Sequence, residues 1–218
     1  SDLAASGSNQ NQIVFQKLET LSATEQHGFG CFLSSSTAPT ASLTFFVASG
    51  STNVMSASIE LVKESWTPIT FTWNRTSGIN QLFGYVSGSL VATSSQVTIR
   101  NLNFPTASLL IGTGSNIVAP LFTPTTTFSG AIDEFRYFKR IVSTNEMTSY
   151  QSSSIYAEPE LALYFKFNEP SGSTSNLVLD SSGKGMHGTL NGYALNILKV
   201  KNINTGSYMG ASPMIYED

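Results

Sequence analysis

The chain has 218 residues, a net charge of −3 and only 11% charged residues. This length fits one large β-sandwich, or one domain with part of another. The low charge provides no basic footprint for nucleic acid and no polybasic patch for a membrane, and no apolar run approaches the roughly 18 residues of a membrane helix. Because Cys31 is the only cysteine, an internal disulfide is excluded.

Residues 1–12 are small and polar, and we expect a flexible tail there because they bury too little apolar surface to stay ordered. The chain begins at Ser1 rather than Met, so we also expect a processed or excised piece of a longer protein. Short β-rich runs then alternate with clusters of Ser, Thr, Gly and Asn. These runs lie at residues 13–15, 28–33, 42–47 and 57–62. Their rhythm predicts an antiparallel β-sandwich.

One run in the middle of the chain predicts a strand with two chemically different faces. Ile69, Phe71 and Trp73 alternate with Thr70 and Thr72. Because successive side chains of a strand point to opposite sides, the apolar set faces a core and the threonines form a hydroxylic face.

The turn after that strand contains the only Asn-x-Ser/Thr sequon of the chain. In a protein secreted by a eukaryotic cell, this sequon makes Asn74 a candidate for glycosylation. Residues 82–91 predict a hairpin whose turn is Ser87-Gly88, where Gly88 supplies a positive φ. Residues 120–127 are punctuated by prolines and predict a long exposed loop, as binding loops often are.

A strand in which apolar and polar residues alternate closes this part of the chain. It reads Phe-Ser-Gly-Ala-Ile-Asp-Glu-Phe-Arg-Tyr-Phe at residues 128–138. Phe135 and Tyr137 share one phase of the alternation, whereas Ile132 has the other. We therefore expect an irregularity of the strand near Asp133, where bulges re-aim side chains.

Ser143 and Glu146 lie three residues apart and form a capping box, which predicts one short helix directly after this strand. The strand and the helix together resemble the end of laminin-G-like domains of the concanavalin A-like lectin and glucanase superfamily. The resemblance is continuous from about residue 66 to residue 150. It implies an all-β fold, an antiparallel β-sandwich of the jelly-roll type. The opening motif of that family is not recognisable in residues 13–62.

The sequence restarts after residue 160. Residues 161–169 read Leu-Ala-Leu-Tyr-Phe-Lys-Phe-Asn-Glu and residues 180–185 read Asp-Ser-Ser-Gly-Lys-Gly, which together resemble the opening of the same family. We therefore divide the chain into a flexible tail (1–12), a sandwich without a recognisable opening strand (13–153), a linker (154–160) and a segment (161–218) that completes the sandwich. Completion takes place in cis, within one chain, or in trans, by strand exchange between copies.

Asp180 is a candidate calcium ligand, because its Ser/Gly turn adds carbonyl oxygens to the carboxylate and the resemblance implies Ca²⁺ near such loops. Asp133 is a second candidate if the two segments fold side by side. The alternative is that Asp180 caps its own turn by accepting backbone N–H groups. His27 stands alone between β-rich runs, and we expect it to be solvated and without a role.

Glucanases of this superfamily need two carboxylates on one strand face, roughly 5–5.5 Å apart for a retaining mechanism. The residues two positions from Asp133 are Ala131 and Phe135, and the adjacent Glu134 points to the opposite face of a regular strand. The sequence therefore predicts no catalytic pair, and we expect the chain not to be an enzyme.

Two functions stay open at this point. The first is a recognition or adhesion module that binds a glycan or a protein on an extracellular, cell-surface or virion-surface protein. Trp66, Trp73 and Tyr85 are candidates for stacking on sugars, but large aromatics at strand spacing are also typical of a core. The second is a structural subunit of a fibre or virion, assembled from copies of itself by strand exchange.

Overall fold

A computed structural model describes residues 2–5, 10–34, 39–76, 79–99, 102, 104, 106–153, 155–169 and 176–191. Within them the chain is nearly all β with one short helix, which confirms the predicted fold class. No helix in these ranges is long and apolar enough to cross a membrane. The elements are β1 (Asp2–Ala5), β2 (Gln12–Ser22), β3 (Glu25–Ser34), β4 (Thr40–Ser49), β5 (Asn53–Val62), β6 (Thr67–Thr76), β7 (Ile79–Val86), β8 (Ser89–Thr93), β9 (Val97–Thr98), β10 (Leu110–Ile111), β11 (Gly130–Asp133), β12 (Phe135–Phe138), α1 (Thr144–Ser149), β13 (Leu161–Phe165), β14 (Leu177–Val178) and β15 (Gly188–Thr189).

The compact unit of residues 4–130 is built on a five-stranded antiparallel sheet in the order β10-β2-β3-β4-β5. One face of this sheet packs against β7. Val47 of β4 lies opposite Met55 of β5, and both belong to a buried cluster that includes Leu82. Side chains of this size stabilise a fold by about 1.5–3 kcal/mol each when fully buried.

The other face of the same sheet is covered by a hairpin that follows β10. Phe46 points to this face because it is adjacent to Val47, and it is fully buried in a cluster with Phe32, Ile117 and Phe122. Ile117 and Phe122 exchange two backbone hydrogen bonds of 2.8 and 2.9 Å, which closes the hairpin. Strand β4 of the five-stranded sheet is therefore buried on both faces.

Gln26 of β3 holds this hairpin in place. Its side chain is 3% exposed and donates to Thr20 Oγ1 at 3.0 Å and to the carbonyl oxygen of Asn116 at 2.9 Å. Its carbonyl oxygen accepts the backbone N–H of Val118 at 2.8 Å. One buried amide thus satisfies two polar backbone groups of a loop, and such groups are costly to leave unpaired.

The strands β6, β7 and β8 lie side by side in that order, and β9 pairs with β7. Ile69 is buried, and Phe71 and Trp73 pack against the cluster that contains Met55 and Leu82. The two-faced strand predicted from the alternation is therefore confirmed. The predicted hairpin turn between β7 and β8 is also present, with Ser87 and Gly88 both at positive φ (50° and 81°).

The second compact unit comprises residues 131–218 with residues 1–3. In it β12 pairs antiparallel with β13 of the same chain, and Phe135 lies opposite Phe165. All five residues of β13 are buried. The irregularity expected near Asp133 is confirmed, because β11 ends there and Glu134 has φ 53° before β12 begins.

The capping box of α1 is confirmed. Ser143 Oγ accepts the N–H of Glu146 at 3.3 Å, and Glu146 Oε2 accepts the N–H of Ser143 at 2.8 Å. Arg140 donates to Glu146 Oε1 at 2.7 Å and to Glu158 Oε1 at 3.0 Å. The hydrogen bonds from Arg140, and then those from Ser143, lower the pKa of Glu146 to about 2.

Two residues of the predicted linker, 154–160, have partners in the fold. Ile155 is buried in a cluster with Leu161 and Tyr164, and Glu158 forms the ion pair with Arg140. The other described residues of this segment are exposed, and its role as a linker stays a prediction.

The predicted tail, residues 1–12, contains ordered elements. Residues 2–5 form a strand, β1, and residue 12 already belongs to β2. The pairing of backbone N–H and C=O groups orders such a segment, and composition does not reveal that pairing. Of the restarted segment, residues 170–175 and 192–218 lie outside the described residues, and completion of the sandwich stays a prediction.

We predict that Gln26→Ala lowers the free energy of unfolding by about 1–3 kcal/mol, because it removes two part-buried hydrogen bonds, to the carbonyl oxygen of Asn116 and from the N–H of Val118. Chemical denaturation measures the change. Gln96→Ala is the matched control, since Gln96 is exposed and makes one side-chain contact of 3.5 Å. Equal unfolding free energies for the two variants would contradict the role given to Gln26.

We also predict that the backbone amides of residues 161–165 are protected from hydrogen exchange, and that dilution leaves the protection unchanged. Intrachain pairing with β12 is the reason, because a contact within one chain does not depend on concentration. Hydrogen exchange followed by mass spectrometry at 1 and 100 μM is the measurement, with these two concentrations chosen as about two orders of magnitude apart. Protection that disappears at the lower concentration would indicate exchange of this strand between copies.

Candidate functional site

The strands β6 to β8 carry one face that differs in chemistry from every buried face of residues 4–130. Residues directly opposite each other in antiparallel strands share a face. The register pairs Thr70 with Tyr85 and Tyr85 with Leu90. Two residues further along β6 it pairs Thr72 with Phe83, and Phe83 with Thr93 of β8, and after two more residues it pairs Asn74 with Gln81. We call these eight residues the polar-aromatic face: Thr70, Thr72, Asn74, Gln81, Phe83, Tyr85, Leu90 and Thr93.

The opposite side of the same strands is core. Trp73 lies opposite Leu82, and its indole N–H donates to Asn80 Oδ1 at 3.0 Å. Asn80 is fully buried, and its amide donates to the carbonyl oxygens of Val97 and Ile99 at 3.3 and 3.1 Å. Trp73 is therefore a core residue that orients β9, and it is removed from the candidates for sugar stacking.

Tyr85 is the aromatic candidate that the structure places on the polar-aromatic face. It is half-buried, as is Phe83 on the same strand, while Leu90 beside it is 54% exposed. On β6, the half-buried Thr70 lies beside Tyr85, whereas Thr72 beside Phe83 is 7% exposed. An aromatic ring bordered by hydroxyl groups offers apolar contact and hydrogen bonds side by side, which is the combination that binding sites for small polar ligands use.

The amide at one end of the face is held in a defined orientation. Gln81 donates from Nε2 to the carbonyl oxygen of Ser94 at 3.0 Å. Ser94 is buried, and its hydroxyl accepts the N–H of Leu82 at 2.9 Å. This chain of hydrogen bonds fixes the end of β7 where the polar side chains project.

Sequence reasoning had singled out Tyr85 but not Phe83 or Gln81. The signal was available in the alternation of β7, where Gln81, Phe83 and Tyr85 are interleaved with Leu82 and Gly84. Only the cross-strand register shows that the threonines of β6 stand next to these side chains.

Two other sequence candidates lie outside the strands β6, β7 and β8. Trp66 is 40% exposed and precedes the first residue of β6. In the predicted loop 120–127, Leu121 is 88% exposed while Phe122 is buried in the hairpin that covers the five-stranded sheet. This loop is therefore partly a structural cover, and Leu121 is its exposed tip.

Asn74 lies inside β6 and not in the turn after it, as the sequence had suggested. It is half-buried and opposite Gln81. Glycosylation at this position stays a prediction, and a glycan there would occupy the polar-aromatic face.

Asp180 is the centre of a hydrogen-bonded loop in the unit of residues 131–218. Its Oδ1 accepts the N–H groups of Tyr164 at 3.0 Å and Ser182 at 2.9 Å. Its Oδ2 accepts the Ser182 hydroxyl at 2.8 Å and the N–H of Met186 at 2.9 Å. A carboxylate has about four lone-pair positions, and donors occupy them here. The geometry is that of a turn cap.

A calcium ion would need one or more of these donors to be displaced from Asp180, so the carboxylate as arranged does not fit a cation. Asp133 Oδ1 accepts the N–H of Glu134 at 3.0 Å. Among the described residues, no three His, Cys, Asp or Glu side chains come together as metal ligands. Calcium binding by Asp180 or Asp133 stays a prediction.

Glu134 is engaged in a network with β13 and the strand that follows it in sequence. Its Oε2 accepts hydrogen bonds from Arg136 Nη2 and from the Tyr164 hydroxyl. Arg136 also donates to the carbonyl oxygen of Tyr150 at 2.9 Å. Burial, together with the hydrogen bond to Glu134, raises the pKa of the Tyr164 hydroxyl, which therefore stays a proton donor to the carboxylate.

His27 is not solvated, contrary to expectation. Its side chain is 14% exposed, and its Nε2 lies 3.2 Å from Glu25 Oε1. It stands opposite Glu19 in β2. The sequence alone did not reveal this arrangement, because Glu19 is brought next to His27 only by the pairing of β2 with β3.

The comparisons with known proteins agree with the fold described above. The pattern of the concanavalin A-like lectin/glucanases superfamily matches residues 3–148. The chain therefore belongs to this superfamily. The match begins well before residue 66, where the recognisable resemblance had started, so the opening part of the chain is a divergent version of the family pattern. No curated protein matches the chain.

The fold is similar to that of a solved structure described as a "putative carbohydrate binding protein" from Bacteroides ovatus ATCC 8483. The TM-score is 0.58 and the sequence identity is 15%. The similarity covers 89% of this chain and 54% of that one, so the chain spans about half the length of the other protein. At this identity the likeness shows a shared fold.

We predict that Asp180→Asn lowers the free energy of unfolding at pH 7 by about 3 kcal/mol, because an amide cannot accept all four donors of the loop. Burial alone would raise the pKa of Asp180, but hydrogen bonds from Ser182, Met186 and Tyr164 outweigh it and hold that pKa below its ordinary value. The stabilisation is therefore present above the unfolded pKa of about 3.9 and is lost as pH falls through the lower folded pKa.

Denaturation of both proteins in EDTA between pH 7 and pH 2 tests this, and the difference between them should narrow at the acidic end. A difference that does not change with pH would be inconsistent with an ionised cap. Calorimetric titration of both proteins with Ca²⁺ tests the metal prediction separately, since a heat of binding seen in the wild type alone would support Asp180 as a ligand.

Proposed function

We propose that the chain is a non-catalytic glycan-binding module that uses the polar-aromatic face of β6 to β8. The observation that carries this proposal is the position of Tyr85 between Thr70 and Leu90 on one surface of the sheet. Membership of the superfamily and the shared fold with a described carbohydrate-binding protein support a binding role.

The chemistry of the face matches that of a sugar. A pyranose ring has a face of C–H groups and a rim of hydroxyl groups. The rings of Tyr85 and Phe83 provide an apolar platform for the C–H face. Thr70 and Thr93 bring hydroxyl groups, which both donate and accept hydrogen bonds as sugar hydroxyls do.

The arrangement of Asp133 and Glu134 supports binding without hydrolysis. Glu134 shares its carboxylate with Arg136 and Tyr164, and Asp133 accepts the N–H of Glu134. Carboxylates with these hydrogen-bond partners stabilise the fold. A retaining glycosidase needs one as a nucleophile and one as an acid.

We place the module on an extracellular, cell-surface or virion-surface protein, where it serves recognition or adhesion. A protein ligand in place of a glycan is an outcome of the binding experiment below. The alternative is a fibre or virion subunit assembled by strand exchange, in which β13 would leave β12 of its own chain and pair with that of a neighbouring copy.

We predict that Tyr85→Ala weakens glycan binding about tenfold, because an aromatic contact contributes about 0.5–1.5 kcal/mol beyond burial and 1.4 kcal/mol is tenfold in affinity. A glycan array identifies the ligand, and calorimetry with the best member gives the affinity. The same mixtures should release no reducing sugar.

Tyr156→Ala is the matched control, because Tyr156 is a tyrosine that is 88% exposed and lies in the other unit. It should bind as the wild type does. Both variants should unfold at the same temperature as the wild type. Equal affinities for the two variants would place the ligand elsewhere and remove the polar-aromatic face as its site.

A further inference from the structure

We infer that the glycan bound by the polar-aromatic face is uncharged, and that its binding needs neither a cation of the protein nor a metal ion. This inference rests on the proposed function. It concerns the class of ligand, which the family and the fold leave open.

The strands that form most of the face carry no charged residue. Between residues 76 and 99, which include β7, β8 and β9, the sequence has no Asp, Glu, Lys, Arg or His. From residue 101 to residue 132 it has none either, and Arg100, which separates these stretches, lies outside the described residues. The face itself consists of Thr, Asn, Gln, Leu and aromatic side chains.

The cation on β6 is on the other side of the sheet. Arg75 lies opposite Asn80, which is fully buried on the core side with Trp73. The guanidinium carbon of Arg75 is 5.8 Å from the centre of the Trp73 ring. Arg75 therefore follows the alternation away from Thr70, Thr72 and Asn74.

A carboxylated or sulfated sugar would lose water on this face without gaining a charged partner. Anions are bound in proteins by Arg or Lys through charge-assisted hydrogen bonds, and transfer of an unpaired charge out of water is costly. A bridging Ca²⁺ would also lack carboxylate ligands here, since the oxygens of Thr, Asn and Gln are neutral. A neutral sugar makes all its contacts through hydroxyl groups and C–H faces and has no such cost.

The test uses matched pairs of oligosaccharides on the purified full chain. Cellohexaose and galactohexaose are compared with the glucuronate and galacturonate hexamers, in EDTA, at low and at high NaCl concentration. We expect the neutral member of a bound pair to bind at least about tenfold more tightly, and its affinity to change less than about twofold with salt, because screening acts on charges.

A charge added to the face gives a gain-of-function test. Thr93 is exposed and opposite Phe83. Thr93→Lys should therefore reduce the ratio of the affinity for the neutral hexamer to that for the uronate hexamer at least about threefold, in a salt-dependent manner. Ser56→Lys, on an exposed position of β5, is the matched control and should leave the preference unchanged.

The outcomes separate the inference from the proposed function. Preferred binding of the uronate hexamers that falls more than about tenfold at high salt, and that Tyr85→Ala abolishes, would overturn the inference and leave the proposed function standing. Glycan binding that Tyr85→Ala leaves intact would overturn both, as would the binding of no hexamer and no member of the array.

Discussion

The structure depends on a five-stranded sheet whose strand β4 is buried on both faces. Val47 and Phe46 are neighbours in β4, yet each is fully buried in a different cluster. Such a sheet needs a cover on each side, and β7 provides one while the hairpin of Ile117 and Phe122 provides the other. The backbone N–H and C=O groups of the hairpin need hydrogen-bond partners where they are removed from water. Gln26 of the sheet forms two such hydrogen bonds, with the carbonyl oxygen of Asn116 and the N–H of Val118.

Within residues 4–130, strand β4 of the large sheet is covered on both faces, and the inner side of β6 to β8 belongs to the core through Trp73 and Leu82. The polar-aromatic face is the side of those strands that faces away from this core. Its side chains are hydroxyls, amides and aromatic rings, and the core beneath fixes the strands that present them.

In the described part of the unit of residues 131–218, two polar networks accompany the buried cluster of Ile155, Leu161 and Tyr164. Asp180 gathers four donors from its loop and from β13. Glu134 joins Arg136 to Tyr164 across the β12–β13 pair. Fully satisfied networks of this kind specify one arrangement, because a partner left unpaired in a buried position costs more than the bond contributes. Asp180, which was considered as a metal ligand, and Glu134, which was considered for catalysis, lie at the centres of these networks.

The sequence by itself determined the fold class, the two-faced strand from Ile69 to Trp73, the irregularity near Asp133 and the capping box of Ser143 and Glu146. Each of these is a local property, set by alternation or by groups three residues apart. Tertiary structure alone decided that Trp73 is core while Tyr85 stands beside Thr70, that Ile155 is buried, and that Asp180 is enclosed by donors. These facts depend on which strands are neighbours and in which register, and a one-residue shift of register would reverse every face.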